Sequence, residues 1–194
     1  MRIAVIKRNT KETNISVKID LDGTGVYNID TGIGFLNHML ESFSKHSKID
    51  IDVNCKGDTN VDCHHSCEDI AITLGQAFRK ALTNNINTIV RFAHAYAPLD
   101  ESLVRCVIDI SGRPYCKSTL KFTREYLGKL STEMISHFFI SFANSARITI
   151  HIDMIRGINN HHIAESSFKA FALAIKHAIK SSTTTNSTKG IVDI

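Results

Sequence analysis

The sequence predicts an α+β protein made of two tandem repeats of a strand–helix–strand–helix unit, with the sheets covered by helices. Three observations predict it. His64-His65-Ser66-Cys67-Glu68 recurs as His161-His162-Ile163-Ala164-Glu165. Each copy opens an apolar-periodic run, and a further histidine, His38 or His137, stands upstream at nearly the same distance. Around each copy, stretches that alternate apolar and polar residues give way to stretches of helical period. The expected organisation is a first repeat at 1–86 and a second at 87–180, packed as one body because no Pro/Gly linker interrupts 83–88. A flexible Ser/Thr-rich tail at 181–194 should close on substrate.

Residues 3–30 read as strands, with Ile15, Val17 and Ile19 alternating with Ser16, Lys18 and Asp20. Asp22-Gly23-Thr24-Gly25 is a turn. Thr31-Gly32-Ile33-Gly34 leads into a helix over 35–46, whose apolar face is Phe35, Leu36, Met39, Leu40 and Phe43. His38 falls opposite that face. Ile49, Ile51 and Val53 mark another strand. After the loop 56–60 a helix runs to about residue 82, with Asp62 or Ser66 as candidate caps. The second half repeats the plan: strands at 88–97, 103–110 and 114–122, a helix over 131–143 carrying His137, a strand around Ile148, Ile150 and Ile152, and a last helix to about residue 180.

Composition excludes several classes. The chain is 43% apolar and 22% charged, which suits a globular protein with a proper core. No apolar run reaches the ~18 residues of a membrane helix. The first residues carry no long apolar core of a secretory signal, so a cytoplasmic protein is expected. A net charge of +4 without a Lys/Arg run longer than two argues against nucleic acid. The five cysteines, Cys55, Cys63, Cys67, Cys106 and Cys116, have no repeated ligand spacing and form no disulfide framework. Cys63 and Cys67 flank the first histidine pair, but the second copy has Asn160 and Ala164 there, which favours small fillers.

The duplicated motif suits metal. Residues four apart at a helix start share a face, so His64 with Glu68, and His161 with Glu165, can each serve one ion. Adjacent residues point about 100° apart, so His65 and His162 should reach a different ion, shared between repeats or between subunits. Imidazoles with a carboxylate suit Mn, Fe, Co, Ni or Zn better than Mg or Ca. A six-coordinate ion would keep positions open for substrate. One copy alone would read as a polar helix start; two copies with matching upstream histidines favour metal. His46, His94, His151 and His177 have no counterparts and read as structural or surface residues. On the residues alone, a di-metal hydrolase of small phosphorylated substrates and a metal-storage assembly both stay open.

The chain resembles the imidazoleglycerol-phosphate dehydratase family over nearly its whole length. The resemblance rests on Arg8-Asn-Thr-Lys-Glu12-Thr13, Thr31-Gly-Ile-Gly-Phe-Leu-Asn-His38, Asp62-Cys-His-His-Ser-Cys-Glu-Asp69, Pro98-Leu-Asp-Glu-Ser102 and Ser111-Gly-Arg-Pro114. It continues through His137-Phe-Phe-x-Ser-Phe-Ala143, Asn159-Asn-His-His-x-x-Glu165 and Ser187-Thr-Lys-Gly190. It implies the ribosomal protein S5 domain 2-like fold. It also implies two Mn(2+) ions per active site, held by His38, His64, His65, Glu68, His137, His161, His162 and Glu165. A homo-oligomer of 24 chains with active sites between subunits is implied as well.

The implied reaction converts D-erythro-imidazole-glycerol phosphate to imidazole-acetol phosphate in L-histidine biosynthesis. Metal at the ring nitrogens favours imidazolate, which expels the adjacent hydroxyl through a diazafulvene-like intermediate before a base removes the next proton. Glu12, which alone would read as a solvated strand-entry carboxylate, joins Glu68 and Glu165 as a candidate catalytic group. Glu12, His38, Arg91, Arg113, Ser187, Thr188 and Lys189 become substrate-binding candidates, the arginines and Lys189 through the phosphate. Two departures stand out. The family usually has Asp where Asn37 stands, a position from which His38 could be oriented. Cys63 and Cys67 also replace more usual residues, and oxidation or zinc sensitivity would follow if they faced the ions.

Overall fold

The structure is a computed structural model that describes residues 1–183, 187 and 188. Two four-stranded sheets enclose four helices. In the first unit, β1 (Ile3–Asn9), β2 (Thr13–Asp20), β3 (Tyr27–Asp30) and β4 (Asp50–Gly57) form a sheet in the order β1-β2-β4-β3. In the second, β5 (Phe92–Leu99), β6 (Ser102–Asp109), β7 (Tyr115–Ser118) and β10 (Thr149–Arg156) take the order β5-β6-β10-β7. The orders correspond strand for strand. In each sheet the last pair, β3–β4 or β7–β10, is parallel and the others antiparallel.

The helices match in the same way. Helices α1 (Gly34–Ser47) and α3 (Glu133–Ala146) each have 14 residues, and α2 (His64–Leu82) and α4 (Asn160–Ala178) each have 19. Both shorter helices end on a left-handed residue, Lys48 (φ 66) and Arg147 (φ 55), whose N–H donates to the carbonyl of Ser44 or Ala143. That closing turn satisfies carbonyls the helix end would otherwise leave unpaired.

Strand alternation aims one row of side chains inward. Ile15, Val17 and Ile19 of β2, and Val104, Cys106 and Ile108 of β6, are all buried. Above them α2 packs on β1 and β2, and α4 packs on β5 and β6. The helices then pair across the units, α2 with α3 and α1 with α4. Phenylalanines tie all four together. Phe43 of α1 stacks on Phe171 of α4 at 5.1 Å, and Phe171 meets Phe142 of α3 at 5.2 Å, which meets Phe78 of α2 at 5.7 Å. Buried residues of both units form one continuous core.

Some sequence expectations are corrected. The strand expected over 114–122 covers only Tyr115–Ser118. Between it and α3 a small hairpin, β8 (Tyr126–Leu127) and β9 (Leu130–Ser131), was not foreseen; two-residue strands carry no readable period. The strand expected from residue 88 begins at Phe92, after a short 3₁₀ turn at Ile86–Thr88. Asp62 does accept the His64 N–H (2.7 Å), whereas Ser66 is buried and caps nothing. The tail is anchored at its start, where Ser181 bridges to Ile89 and the Ser182 N–H donates to the Thr88 carbonyl. The expectation for the rest of the tail falls largely outside the described residues, as does Lys189.

Candidate active site

The motif histidines stand in the first turn of each long helix, and the entry is built by local hydrogen bonding. Asn159 accepts the N–H groups of His161 and His162, capping α4. The i, i+4 spacing then places His161 Nε2 3.1 Å from Glu165 Oε2. The third member arrives from the other unit: His38 of α1 has its Nε2 3.2 Å from the same oxygen. The second cluster mirrors it. His137 of α3 has its Nε2 2.9 Å from Glu68 Oε1, and His64 lies beside it with ring centroids 5.0 Å apart. In each trio, one donor atom per residue lies within 4.8 Å of the others.

The upstream histidines therefore cross over. His38 joins the second motif and His137 the first, because α1 packs on α4 and α3 on α2. The sequence spacing left open which upstream histidine joins which motif; in the structure His38 lies with His161 and Glu165, and His137 with His64 and Glu68. The shared helix faces are as expected: His64 joins Glu68, and His161 joins Glu165.

His65 and His162 point elsewhere. The His65 Nδ1 sits 3.0 Å from Asp58 Oδ2, and its Nε2 is 3.7 Å from Glu12 Oε1. The His162 Nδ1 sits 2.7 Å from Glu101 Oε2, and its Nε2 is 3.8 Å from Asp100 Oδ2. These contacts raise both imidazole pKa values, through the bond to Asp58 and the bond to Glu101 respectively. Glu101 is correspondingly lowered, first by His162 and then by the backbone N–H groups of Asn159 and Ile158.

The clusters are not electrostatic twins. Burial opposes ionisation of Glu165, but the bond and charge of Lys169 (Nζ–Oε1 2.7 Å), with His38 and His161, outweigh it and hold the carboxyl at about 2. Lys169 stands one turn beyond Glu165; one turn beyond Glu68 the chain has Ile72. Glu165 is thus presented as a carboxylate with one oxygen already engaged.

Two further predicted residues meet at the opposite end of the second sheet. Arg91 Nε donates to Asp109 Oδ1 (2.8 Å), and Arg113 lies 3.7 Å from Asp109 Oδ2. Arg91 adopts φ 75, and its guanidinium lies over the Phe92 ring, 4.5 Å from the centroid.

A family model for imidazoleglycerol-phosphate dehydratase matches residues 31–175. The chain belongs to the imidazoleglycerol-phosphate dehydratase family. It is 53% identical over 178 residues to the dehydratase of Zymomonas mobilis, covering 92% of this chain and 90% of that one. To the Phaffia rhodozyma dehydratase it is 53% identical over 184 residues, covering 92% and 89%. The crystal structure of the Staphylococcus aureus dehydratase superposes with TM-score 0.84 at 38% identity, over 93% of this chain and 99% of that one.

Against the pattern of the dehydratase family, the departures prove local. Asn37 does not orient His38: its Oδ1 accepts the Thr31 N–H (2.9 Å) and hydroxyl (2.5 Å), fixing the turn into α1. Cys63 and Cys67 face away from the donor trios. The Ser131 N–H donates to Cys63 Sγ, and Cys67 Sγ lies against the Met134 carbonyl in the buried α2–α3 seam. Glu12 stands in the β1–β2 turn with its carboxylate half-exposed. That turn is pinned to α2 through Asp69, which accepts from Arg8 (2.8 Å) and from the Thr13 hydroxyl (2.6 Å). Asp69, Lys169, Asp58 and Glu101 were missed by sequence reasoning. The signal for Asp69 lay in its place directly after Glu68.

Proposed function

We propose that this chain is a hydro-lyase that dehydrates D-erythro-imidazole-glycerol phosphate to imidazole-acetol phosphate, a step of L-histidine biosynthesis. The observation that carries the reading is the pair of crossed donor trios in a chain of this family. Each trio offers two imidazole nitrogens and one carboxylate oxygen, converging closely enough for one ion. This donor set fits Mn(2+) and related divalent transition ions.

His64, Glu68 and His137 would hold one ion, and His38, His161 and Glu165 the other. His65 and His162 turn their Nε2 atoms away from both, which supports ligation of ions held by neighbouring copies. A homo-oligomer with shared sites, 24 chains in the family pattern, is consistent with that. When bound, the ions supply Lewis-acid charge that favours the ionised form of the substrate ring.

The protein's own groups do the remaining work. Arg91 and Arg113, gathered by Asp109, offer paired donors to phosphate, and Ser187, Thr188 and Lys189, the last outside the described residues, are further candidates to bind it. Glu12 is held at the strand turn beside His65, where a carboxylate can accept the proton from the carbon next to the departing hydroxyl. The proton that the ring gives up on ionising leaves with the hydroxyl as water, and the carbon's proton returns from Glu12 as the resulting enol becomes the ketone. Five free cysteines, four of them buried, agree with a reducing, cytoplasmic setting.

The test is turnover of imidazoleglycerol phosphate by Mn-loaded protein, followed as imidazole-acetol phosphate. Absence of product would sink the dehydratase reading. Release of inorganic phosphate instead would favour a di-metal hydrolase.

A further inference from the structure

The two units assign the orienting of their outward histidines to different carboxylates. Thr13 opens β2 as Ser102 opens β6, and the residues before them in the turns are Glu12 and Glu101. These glutamates are repeat counterparts. Gly57 and Gly157 also correspond: each ends or follows the strand before the long helix, and a Cβ on either would strike the facing residues, Ser66 in one unit and Ile163 with Ser102 in the other. The residues after these glycines are Asp58 and Ile158.

In the second unit the turn glutamate is committed. Glu101 Oε1 accepts the N–H groups of Asn159 (2.7 Å) and Ile158 (3.1 Å) and the Ser102 hydroxyl (3.1 Å), while Oε2 takes His162 Nδ1 at 2.7 Å. In the first unit the turn glutamate stands back. Glu12 approaches only the far nitrogen of His65, at 3.7 Å, and Asp58 takes the Nδ1 at 3.0 Å. The Asp58 N–H donates to the Glu12 carbonyl at 3.1 Å, which ties the two positions together.

We infer that Asp58 and Glu101 are positioning residues that hold His65 and His162 with the proton on Nδ1 and the Nε2 lone pair free, and that Asp58 releases Glu12 from this duty. A carboxylate on Nδ1 can only accept, so it selects that tautomer and fixes the ring plane; such partners tune a histidine's affinity for metal. Both turns carry a glutamate. The second unit uses its copy to orient a ligand, and the first keeps its copy open toward substrate because Asp58 does the orienting.

This inference rests on the reading of His65 and His162 as metal ligands. The probe is Glu101→Gln. Its amide oxygen can keep the backbone N–H groups of Asn159 and Ile158, which leaves the amide NH₂ facing His162 Nδ1 and drives the ring proton to Nε2. Nitrogen NMR of the histidine rings in metal-free protein reports that switch, and titration with Mn(2+) alone reports affinity. The expected result is an Nε2-protonated His162 and Mn(2+) binding weakened about 10–100-fold at one of the two site classes. Both Asp58 oxygens face His65 Nδ1, so the matching probe is Asp58→Leu, which removes the acceptor and should free the His65 tautomer and weaken Mn(2+) binding likewise; Glu12→Gln should leave Mn(2+) affinity unchanged.

Wild-type affinity and Nδ1 protonation in both Glu101→Gln and Asp58→Leu would overturn the inference. His162→Ala separates the two levels. If it lowers Mn(2+) binding while Glu101→Gln and Asp58→Leu do not, positioning fails and ligation stands. If it leaves Mn(2+) binding intact, the ligand reading fails and takes the inference with it.

Discussion

Nε2 of His137 on α3 lies 2.9 Å from Oε1 of Glu68 on α2, so a residue of the second unit completes a donor trio begun in the first. If each trio holds one ion as proposed, His137→Ala should lower the metal content by one ion per chain and leave the ion at His38, His161 and Glu165. Metal analysis of dialysed protein checks this. Retention of both ions would show that the trio is not a metal site.

The α2–α3 seam sets that geometry. A Cβ at Gly75 would come 2.8 Å from the Phe142 carbonyl and 2.9 Å from the Ser145 Cβ, so the helices meet there backbone to backbone. Gly75→Ala should force them apart and destabilise the fold by about 1–3 kcal/mol, the usual range for overpacking. Urea unfolding measures the loss. The Mn(2+) affinity of the His64–Glu68–His137 trio should fall in the same variant.

Arg91 and Arg113 should act on substrate and not on metal. Arg113→Ala is expected to raise KM about 10–100-fold, the equivalent of one lost charged hydrogen bond at about 1.5–3 kcal/mol. Its Mn(2+) content should match wild type. An unchanged KM would remove Arg113 from the phosphate site.

Acid should loosen the first unit at a place remote from the metal. Asp50 Oδ1 accepts the N–H groups of Thr24, Gly25 and Val26, each at 2.8 Å. Burial works against its ionisation, but the three N–H donors prevail and lower its pKa below the ordinary 3.8. A depressed carboxyl stabilises the fold above its unfolded pKa and loses that contribution as pH falls through the folded value. Asp50→Ala should therefore cost about 1–3 kcal/mol at neutral pH, and the gap from wild type should narrow below about pH 4. Urea melts at the two pH values check both signs.

Much of the fold was readable because its signals are local. The alternation of Ile15, Val17 and Ile19, the helical spacing of Phe35, Met39 and Phe43, and the doubled motif each declare themselves within a dozen residues. Even the divergence of His64 from His65 follows from one helical turn. The crossing of His38 and His137 does not, because it depends on which helix packs on which, a matter settled by Phe43, Phe78, Phe142 and Phe171 meeting in the middle. Glu101 was legible in principle, as the residue before Ser102 that answers to Glu12 before Thr13, but only once the strands were aligned by register. Asp58 has no such counterpart, and its role is visible only from its distance to His65.

The exchange of histidines between units also bears on how such a chain can change. Each trio draws its members from both halves, so neither half carries a finished site that could work while the other drifts. A fragment cut between the units would hold two incomplete trios and no complete one. Damage to either half would therefore cost both sites at once, because the two copies lend each other parts.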